Sequence, residues 1–297
     1  MLLRLAGVKV VLHMHEPMPE LFGTLFDKSR HRLLVWAIGL AERLSIAYAD
    51  RVLTVTKEMR ENFGQRGADL RKITVILNVP DDRLFRPERY AHLAERVARV
   101  KEENHRTGAF RLLCHGTIEH RYGLDLIVGA VARVKDAIPG VQFRFMGQGE
   151  DLPSVLAKAE ELGVASHIHY LGYLPFEAMI EEILCADVTV VPMRRNPYSV
   201  LVHTNKMYEY MALGRPIIAS RLNSVASYFP EDTLLYFEPD DDIDLAERVL
   251  YAFENPDELR RRIHRTAELY ETYRWQNEKE RYLSVYQALL GTAGRKR

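Results

Sequence analysis

The chain has 297 residues, of which 47% are hydrophobic and 28% charged, a composition typical of a globular protein with room for two cores. Its 41 basic and 41 acidic residues give a formal net charge of zero, which argues against a nucleic-acid partner. No stretch approaches the roughly 20 apolar residues of a membrane-spanning helix, and residues 1–11 lack the pattern of a secretory signal.

A short β-branched run, residues 8–12, predicts the first strand of a parallel sheet. The strand delivers His13, His15 and Glu16 to its carboxyl end, the edge at which open α/β sheets bind ligands. Two alternating histidines point to opposite sides of a strand, and no further Cys or His lies at ligand spacing, so no metal site is predicted. A structural histidine remains an alternative for both positions, more so for His13.

Residues 29–48 have the apolar spacing of an amphipathic helix, which we expect to pack on the sheet. Because basic residues precede Trp36, a helix that lies on a membrane surface is the alternative. Residues 49–56 then predict a strand, residues 57–63 a capped helix, and residues 73–78 another strand. The charged, helix-prone residues 88–106 are predicted to link two domains.

A second series of strand, loop and helix units begins at residues 110–115. The loop from Gly116 to Tyr122 follows its first strand, and a glycine turn with a cation at the carboxyl end of a strand is a reasonable phosphate site. Arg121 is the candidate cation. Another turn holds Gly147 and Gly149 but lacks the third glycine of a dinucleotide fingerprint, which weakens an NAD or FAD interpretation.

Strands also follow at residues 167–171 and 186–192, and such repeated units predict a parallel sheet with helices on both faces. The acidic run Asp240 to Asp242 resembles a metal-binding cluster superficially, but before an apolar helical pattern it predicts a helix start.

Residues 203–220 predict a loop, a short helix and a strand. Thr204 or Asn205 is expected to cap the helix with a side-chain oxygen, and Gly214 to end it. Lys206 and Glu209 then share one face. Free amides and Lys206 suit a diphosphate, and a carboxylate one turn deeper suits a ribose diol. Taken alone, Lys206 and Glu209 would more simply be an exposed ion pair.

The run Asn-Lys-x-x-Glu-Tyr-Met-Ala-x-Gly-x-Pro-Ile-Ile-Ala-Ser, residues 205–220, resembles the donor-binding segment of the retaining GT-B glycosyltransferases of family four, or group one. In that family the Glu at the position of Glu209 contacts the donor ribose. The family's other Glu, eight positions earlier, is replaced by Leu201, which puts the identity of the sugar in question. The family also has an Arg and a Lys in the first glycine loop, where this chain has Thr117 and Tyr122.

The resemblance implies a set of site residues. His15, with Glu16 beside it, would lie near the donor sugar, and these two are the catalytic candidates. Tyr173 and Leu174 would lie near the base. The donor-binding candidates are Gly116, Thr117, Arg121, Gly147, Gly149, Tyr173, Leu174, His203, Thr204, Asn205, Lys206 and Glu209.

The resemblance also implies an α/β, GT-B-like fold of two Rossmann-like, doubly wound parallel-sheet domains. Residues 1–87 would form the acceptor-side domain, 88–107 the linker, 108–274 the nucleotide-sugar domain, and 275–297 a helix returning to the first domain. Compared with the family, the first domain lacks its early strands and glycine-rich loop, so we expect it to be incomplete.

The expected function is transfer of a sugar, with retention, from a nucleotide-sugar donor such as a UDP or GDP sugar to a hydroxyl of a glycan or lipid-linked acceptor. Neither a metal nor another cofactor is expected. The alternatives are a catalytically incomplete nucleotide-sugar-binding fragment and a GT-B-fold sugar epimerase. Cys114 and Cys185 lie in apolar surroundings, which fits a reducing cytoplasm, and peripheral contact with the inner membrane face is a further prediction.

Overall fold

A computed structural model describes residues 7–26 and 31–293 of the chain. The chain divides into two compact units. The first unit comprises the described parts of residues 1–79, 196–203 and 273–297, and the second comprises residues 80–195 and 204–272. The predicted boundaries at residues 87, 107 and 274 stay predictions.

The first unit contains a three-stranded parallel sheet in the order β1-β2-β3. Its strands pair in register, with Val11 opposite Arg51 and Val52 opposite Ile73. Its elements are β1 (Val11–Met14), α1 (Met18–Leu25), α2 (Arg32–Tyr48), β2 (Arg51–Thr54), α3 (Lys57–Gln65), β3 (Ile73–Val75) and, from the end of the chain, α12 (Trp275–Ala293). The predicted cap of α3 is confirmed, since the Thr56 hydroxyl accepts a hydrogen bond from the Met59 amide.

The second unit contains a six-stranded parallel sheet in the order β6-β5-β4-β7-β8-β9. Its strands are β4 (Ala109–His115), β5 (Gly140–Met146), β6 (Ile168–Tyr170), β7 (Val188–Val191), β8 (Ile217–Ser220) and β9 (Leu235–Phe237). Its helices are α4 (Ala94–Thr107), α5 (Leu124–Val134), α6 (Leu152–Glu161), α7 (Phe176–Cys185), α8 (Lys206–Ala212), α9 (Asn223–Ala226), α10 (Asp242–Glu254) and α11 (Pro256–Tyr270).

This strand order has a consequence for ligand binding. From β4 the chain first adds strands on one side, through β5 and β6, and then returns to add β7, β8 and β9 on the other. The loops after β4 and β7 therefore leave the sheet in opposite directions, which opens a crevice at the carboxyl ends of these strands. Such a switch point is the expected ligand site of an open α/β sheet.

Buried apolar residues of the strands and of α5, α6 and α10 form one continuous core in this unit. The central strands β7 and β8 are buried on both faces, as in a parallel sheet covered by helices. The predicted α/β class with parallel sheets is thus confirmed.

Several predicted elements differ in extent or in packing. The predicted linker forms a 3₁₀ turn, Pro87–Leu93, and helix α4, and both group with the second unit. Helix α2 buries Ile46, but Leu33, Trp36 and Leu44 are 85%, 67% and 61% exposed, so much of the face expected to pack on the sheet does not. None of the described helices is long and apolar enough to cross a bilayer.

The acidic run at residues 240–242 begins a helix, as predicted. The Asp241 side chain accepts hydrogen bonds from the amides of Ile243 and Asp244, and α10 starts at Asp242. Among the described residues, no group of three or more His, Cys, Asp or Glu side chains is arranged to hold a metal ion.

Candidate functional site

Three glycines bring two loops together at the carboxyl edge of the second unit's sheet. Gly116 follows β4 with a φ of 111°, and its amide donates to the Met146 carbonyl. A Cβ on Gly147 would lie 1.8 Å from the Gly116 carbonyl oxygen, and one on Gly149 would lie 1.8 Å from the Ile118 carbonyl oxygen. Because only glycine permits these approaches, the two predicted turns form one continuous surface.

Lys206 lies directly over the first of these loops. It is the first residue of α8, and its residue surface is only 8% exposed. Its Nζ would be 3.4 Å from a Cβ on Gly116, lies 3.9 Å from the Cys114 Sγ, and stands 4.9 Å from the centre of the Tyr122 ring. In the part of the chain that the structure describes, no carboxylate forms an ion pair with it.

Glu209 lies one turn further along α8 and meets the end of β4 as well. Its Oε2 is 2.7 Å from the Nε2 of His115, the last residue of that strand. The His115 Nδ1 in turn is 2.8 Å from the Tyr210 hydroxyl, and the two rings meet edge to face. The structure therefore brings Lys206 and Glu209 to adjacent parts of the segment Cys114 to Gly116.

The start of α8 differs from the prediction. Asn205 has helical backbone angles, φ −60° and ψ −31°, and its side chain caps none of the described amides, because a capping side chain needs an extended backbone at that position. The Thr204 Oγ1 is buried without a hydrogen-bond partner among the described residues. The helix has only seven residues, and its Met207 amide already donates to the Thr204 carbonyl. The amides at its start are thus a weaker anion site than the sequence suggested.

The end of α8 follows the prediction. Gly214 has a φ of 62°, and the Arg215 amide donates to the Tyr210 carbonyl. The left-handed glycine ends the helix and lets Ile217–Ser220 begin β8.

The other donor-binding candidates are spread around these loops or lie elsewhere. Thr117 is exposed between the first glycine and buried Ile118. Arg121 is in an ion pair with Glu119 at 2.9 Å, and its guanidinium lies 5.0 Å from the centre of the Tyr122 ring. Its charge is therefore partly compensated, in contrast to that of Lys206.

Tyr173 and Leu174 follow Gly172, whose carbonyl accepts a hydrogen bond from the Gly147 amide. Tyr173 is 77% exposed at this edge. His203 groups with the first unit, unlike the neighbouring Thr204, so the structure does not bring all the predicted donor residues into one unit.

His15 and Glu16 follow β1, at the carboxyl edge of the first unit's sheet. His15 is exposed, its ring lies 6.2 Å from that of His13, and the Glu16 Oε2 is buried without a hydrogen-bond partner in the described ranges. His13 donates to or accepts from the Tyr286 hydroxyl at 3.1 Å, and its pKa is lowered by burial and by His15. The two histidines, Trp275 and Tyr282 line a cavity of about 190 Å³.

Three residues of the second unit's site were not among the sequence candidates. His115 contacts Glu209 and Tyr122 contacts Lys206, whereas Tyr210 contacts His115. His115 had one available signal, since it is the last residue before the glycine turn at a strand's carboxyl end. Tyr210 had none, because a tyrosine on an apolar helix face predicts only core packing.

Together these groups offer a buried cation and a fixed carboxylate side by side. The ammonium of Lys206 suits a phosphate or diphosphate, and the carboxylate of Glu209 can accept hydrogen bonds from hydroxyl groups. A nucleoside diphosphate carries both partners in one molecule.

Two stretches of the chain match families of glycosyltransferase domains. Residues 109–255 match the family described as glycosyl transferases group 1, and residues 1–79 match a glycosyl transferase 4-like domain. The first stretch includes every predicted donor residue of the second unit.

Among curated proteins, the chain is 24% identical to glycogen synthase of Mycobacterium tuberculosis over 254 residues, which are 84% of this chain and 57% of that protein. It is 25% identical to the D-inositol 3-phosphate glycosyltransferase of Nocardia farcinica over 260 residues, 84% of this chain and 55% of that protein. The chain therefore spans less than two thirds of the length of these relatives.

Two solved structures share the fold. Anabaena HepE in complex with UDP-glucose superposes with a TM-score of 0.75 at 16% identity, covering 97% of this chain and 74% of that one. Sucrose-phosphate synthase from Thermosynechococcus elongatus gives 0.74 at 19% identity, covering 96% and 69%. This likeness confirms the predicted GT-B-like fold.

Proposed function

Since the chain belongs to the group 1 glycosyltransferases, we propose that its second unit binds a nucleotide-sugar donor and that the protein transfers the sugar to an acceptor hydroxyl with retention. The main support for the donor site is the buried ammonium of Lys206. It has no carboxylate partner among the described residues and lies over Gly116. A buried cation of this kind is stabilised by an anion that enters the site.

Glu209 is the second ligand-binding group of the proposed donor site. Its carboxylate is held by His115 through Oε2, which leaves Oε1 as an acceptor for a hydroxyl of the donor ribose. The similar Anabaena HepE structures contain UDP or UDP-glucose, which favours a uridine nucleotide as the ligand for binding experiments.

The proposed chemistry follows from these charges. Cleavage of the bond between sugar and diphosphate places negative charge on the departing oxygens, and a fixed cation beside them lowers the barrier. Lys206 would supply the charge that a divalent ion supplies in other phosphate-releasing sites, so we propose that donor binding and transfer need no metal. With retention, the acceptor hydroxyl approaches the face from which the diphosphate leaves, and that diphosphate accepts its proton.

The first test is calorimetric titration of UDP into the wild-type chain and into Glu209→Ala. Loss of the carboxylate should weaken UDP binding by about 1–3 kcal/mol, because ribose hydroxyls lose their acceptor in a partly desolvated site. Glu254→Ala, which removes an exposed carboxylate at the end of α10, is the matched control and should bind as the wild type does. Equal affinity of the Glu209 variant and the wild type would refute this donor site.

A second test follows the sugar. The chain is incubated with a panel of UDP and GDP sugars and simple acceptors, and the anomeric configuration of any product is determined by NMR. An α-linked product from an α-linked donor supports retention. UDP binding without transfer would favour a binding function, and an epimerised sugar nucleotide would favour the epimerase.

A further inference from the structure

His115 does not itself contact the donor in the site proposed above, yet it is built into that site. It is 8% exposed at the end of β4, with both ring nitrogens engaged. Nε2 lies 2.7 Å from the Glu209 Oε2, and Nδ1 lies 2.8 Å from the Tyr210 hydroxyl. A histidine that only filled space would not need two such partners.

The positions of the protons follow from the Tyr210 hydroxyl. This oxygen already accepts a hydrogen bond from the backbone amide of His115 at 3.2 Å. Burial raises the pKa of Tyr210 well above its ordinary value, so the hydroxyl keeps its proton. The proton needs an acceptor, and the His115 Nδ1 is the ring nitrogen within reach. The proton of a neutral His115 ring is then on Nε2, where it is donated to the Glu209 carboxylate.

We propose that His115 is a positioning residue for Glu209, its ring held by Tyr210 in the tautomer that donates Nε2–H to the carboxylate. The proposal rests on the proposed donor site and assigns the orientation of its carboxylate to a residue that does not touch the donor. The bond occupies Oε2 and directs Oε1 to the incoming ribose.

Glu209 needs such a partner. Its side chain is 18% exposed, and within the described ranges the carboxylate has no bond other than that to His115. A glutamate side chain has several rotatable bonds, and one that is free to rotate must be ordered when the ribose binds. Fixing it beforehand increases affinity for the ribose and leaves affinity for the diphosphate unchanged.

The test compares two ligands, UDP and inorganic pyrophosphate, in the wild type and its variants. His115→Leu should bind UDP about tenfold more weakly, since one rotamer-rich side chain must then be ordered on binding. Its affinity for pyrophosphate should equal that of the wild type. His115→Gln, whose amide can still donate to the carboxylate, should lie within about threefold of the wild type for UDP. The double variant of His115→Leu with Glu209→Ala should lose no more than Glu209→Ala alone.

An independent measurement is the ¹⁵N spectrum of the wild-type ring, which should show the Nε2–H tautomer. Tyr210→Phe should increase the population of the other tautomer. The spectrum keeps the proposal testable even if His115→Leu does not fold.

The outcomes separate the two claims. If Glu209→Ala weakens UDP binding but His115→Leu does not, the positioning role is refuted and the donor site stands. An Nδ1–H tautomer in the wild type, or equal losses for UDP and pyrophosphate in His115→Leu, would also overturn it. If Glu209→Ala leaves UDP binding unchanged, the donor site itself fails.

Discussion

Replacing Lys206 with methionine should separate ligand binding from stability. Methionine has a similar length and keeps the packing of the aliphatic part, but it removes the charge. The lost contacts of the ammonium are weak ones, a thiol at 3.9 Å and an aromatic ring at 4.9 Å from its centre. The change therefore removes the proposed diphosphate contact while disturbing the packing little.

The two effects differ in size. The ring contact contributes about 0.5–2 kcal/mol, which offsets part of the free energy needed to bury a charge. We therefore expect the free energy of unfolding of Lys206→Met to stay within about 1 kcal/mol of the wild type. A hydrogen bond to a charged group contributes about 1.5–3 kcal/mol, so the dissociation constant for UDP should rise about 10- to 150-fold.

Calorimetry gives the dissociation constants, and denaturation monitored by circular dichroism gives the stabilities. Lys135→Met, at the far end of α5 from the Gly116 loop, is the matched control and should bind UDP normally. Increasing salt should weaken UDP binding more steeply in the wild type than in Lys206→Met. A variant that loses stability by more than about 2 kcal/mol but binds UDP normally would show that Lys206 is a structural residue.

Three further predictions concern the loops, the metal and a buried carboxylate. Gly147→Ala should destabilise the chain by about 2–4 kcal/mol and weaken UDP binding in titrations. Gly163, with φ +64° but open space around it, provides the control: Gly163→Ala should lower the free energy of unfolding by about 1–2 kcal/mol and leave UDP binding intact. UDP affinity should be unchanged after exhaustive dialysis against a chelator, and an affinity restored by Mg²⁺ or Mn²⁺ would contradict the proposal. Burial raises the pKa of Glu278 above its ordinary value of 4.5, so in the folded chain this carboxyl keeps its proton to a higher pH than in the unfolded chain. Its contribution to stability therefore falls as pH rises through that raised pKa. Glu278→Gln should flatten that pH dependence in denaturant titrations, and an unchanged slope would exclude this carboxylate as its source.

The order of elements was predictable because it depends on local patterns. Buried β-branched runs, glycine stops and the caps at Thr56 and Asp241 each have a short-range physical cause, and the structure contains them. The packing of α2 was not predictable in the same way. Its apolar spacing indicates a helix with a hydrophobic face, but whether Leu33 and Leu44 are covered depends on residues distant in sequence.

The site was predictable in its residue types more than in its contacts. Lys206 and Glu209 follow from helical spacing and from the resemblance, and the structure places both against the end of β4. Burial of Lys206 was not predictable, since a lysine at a helix start is usually exposed. The bond from His115 to Glu209 joins residues 94 positions apart, and spacing alone gives no signal for such a pair.

The first unit is built from separate segments of the chain, which has a consequence for the order of folding during synthesis. Its contacts join distant parts of the chain: the Thr56 hydroxyl donates to the Leu201 carbonyl, the Leu77 amide to the Glu278 carboxylate, and His13 contacts Tyr286 across 273 positions. Tyr198 and Val202 also belong to its core. A ribosome must therefore translate all of the second unit before the first can be completed. The unit that begins the chain is the last to finish folding, and until then its early strands depend on protection from aggregation.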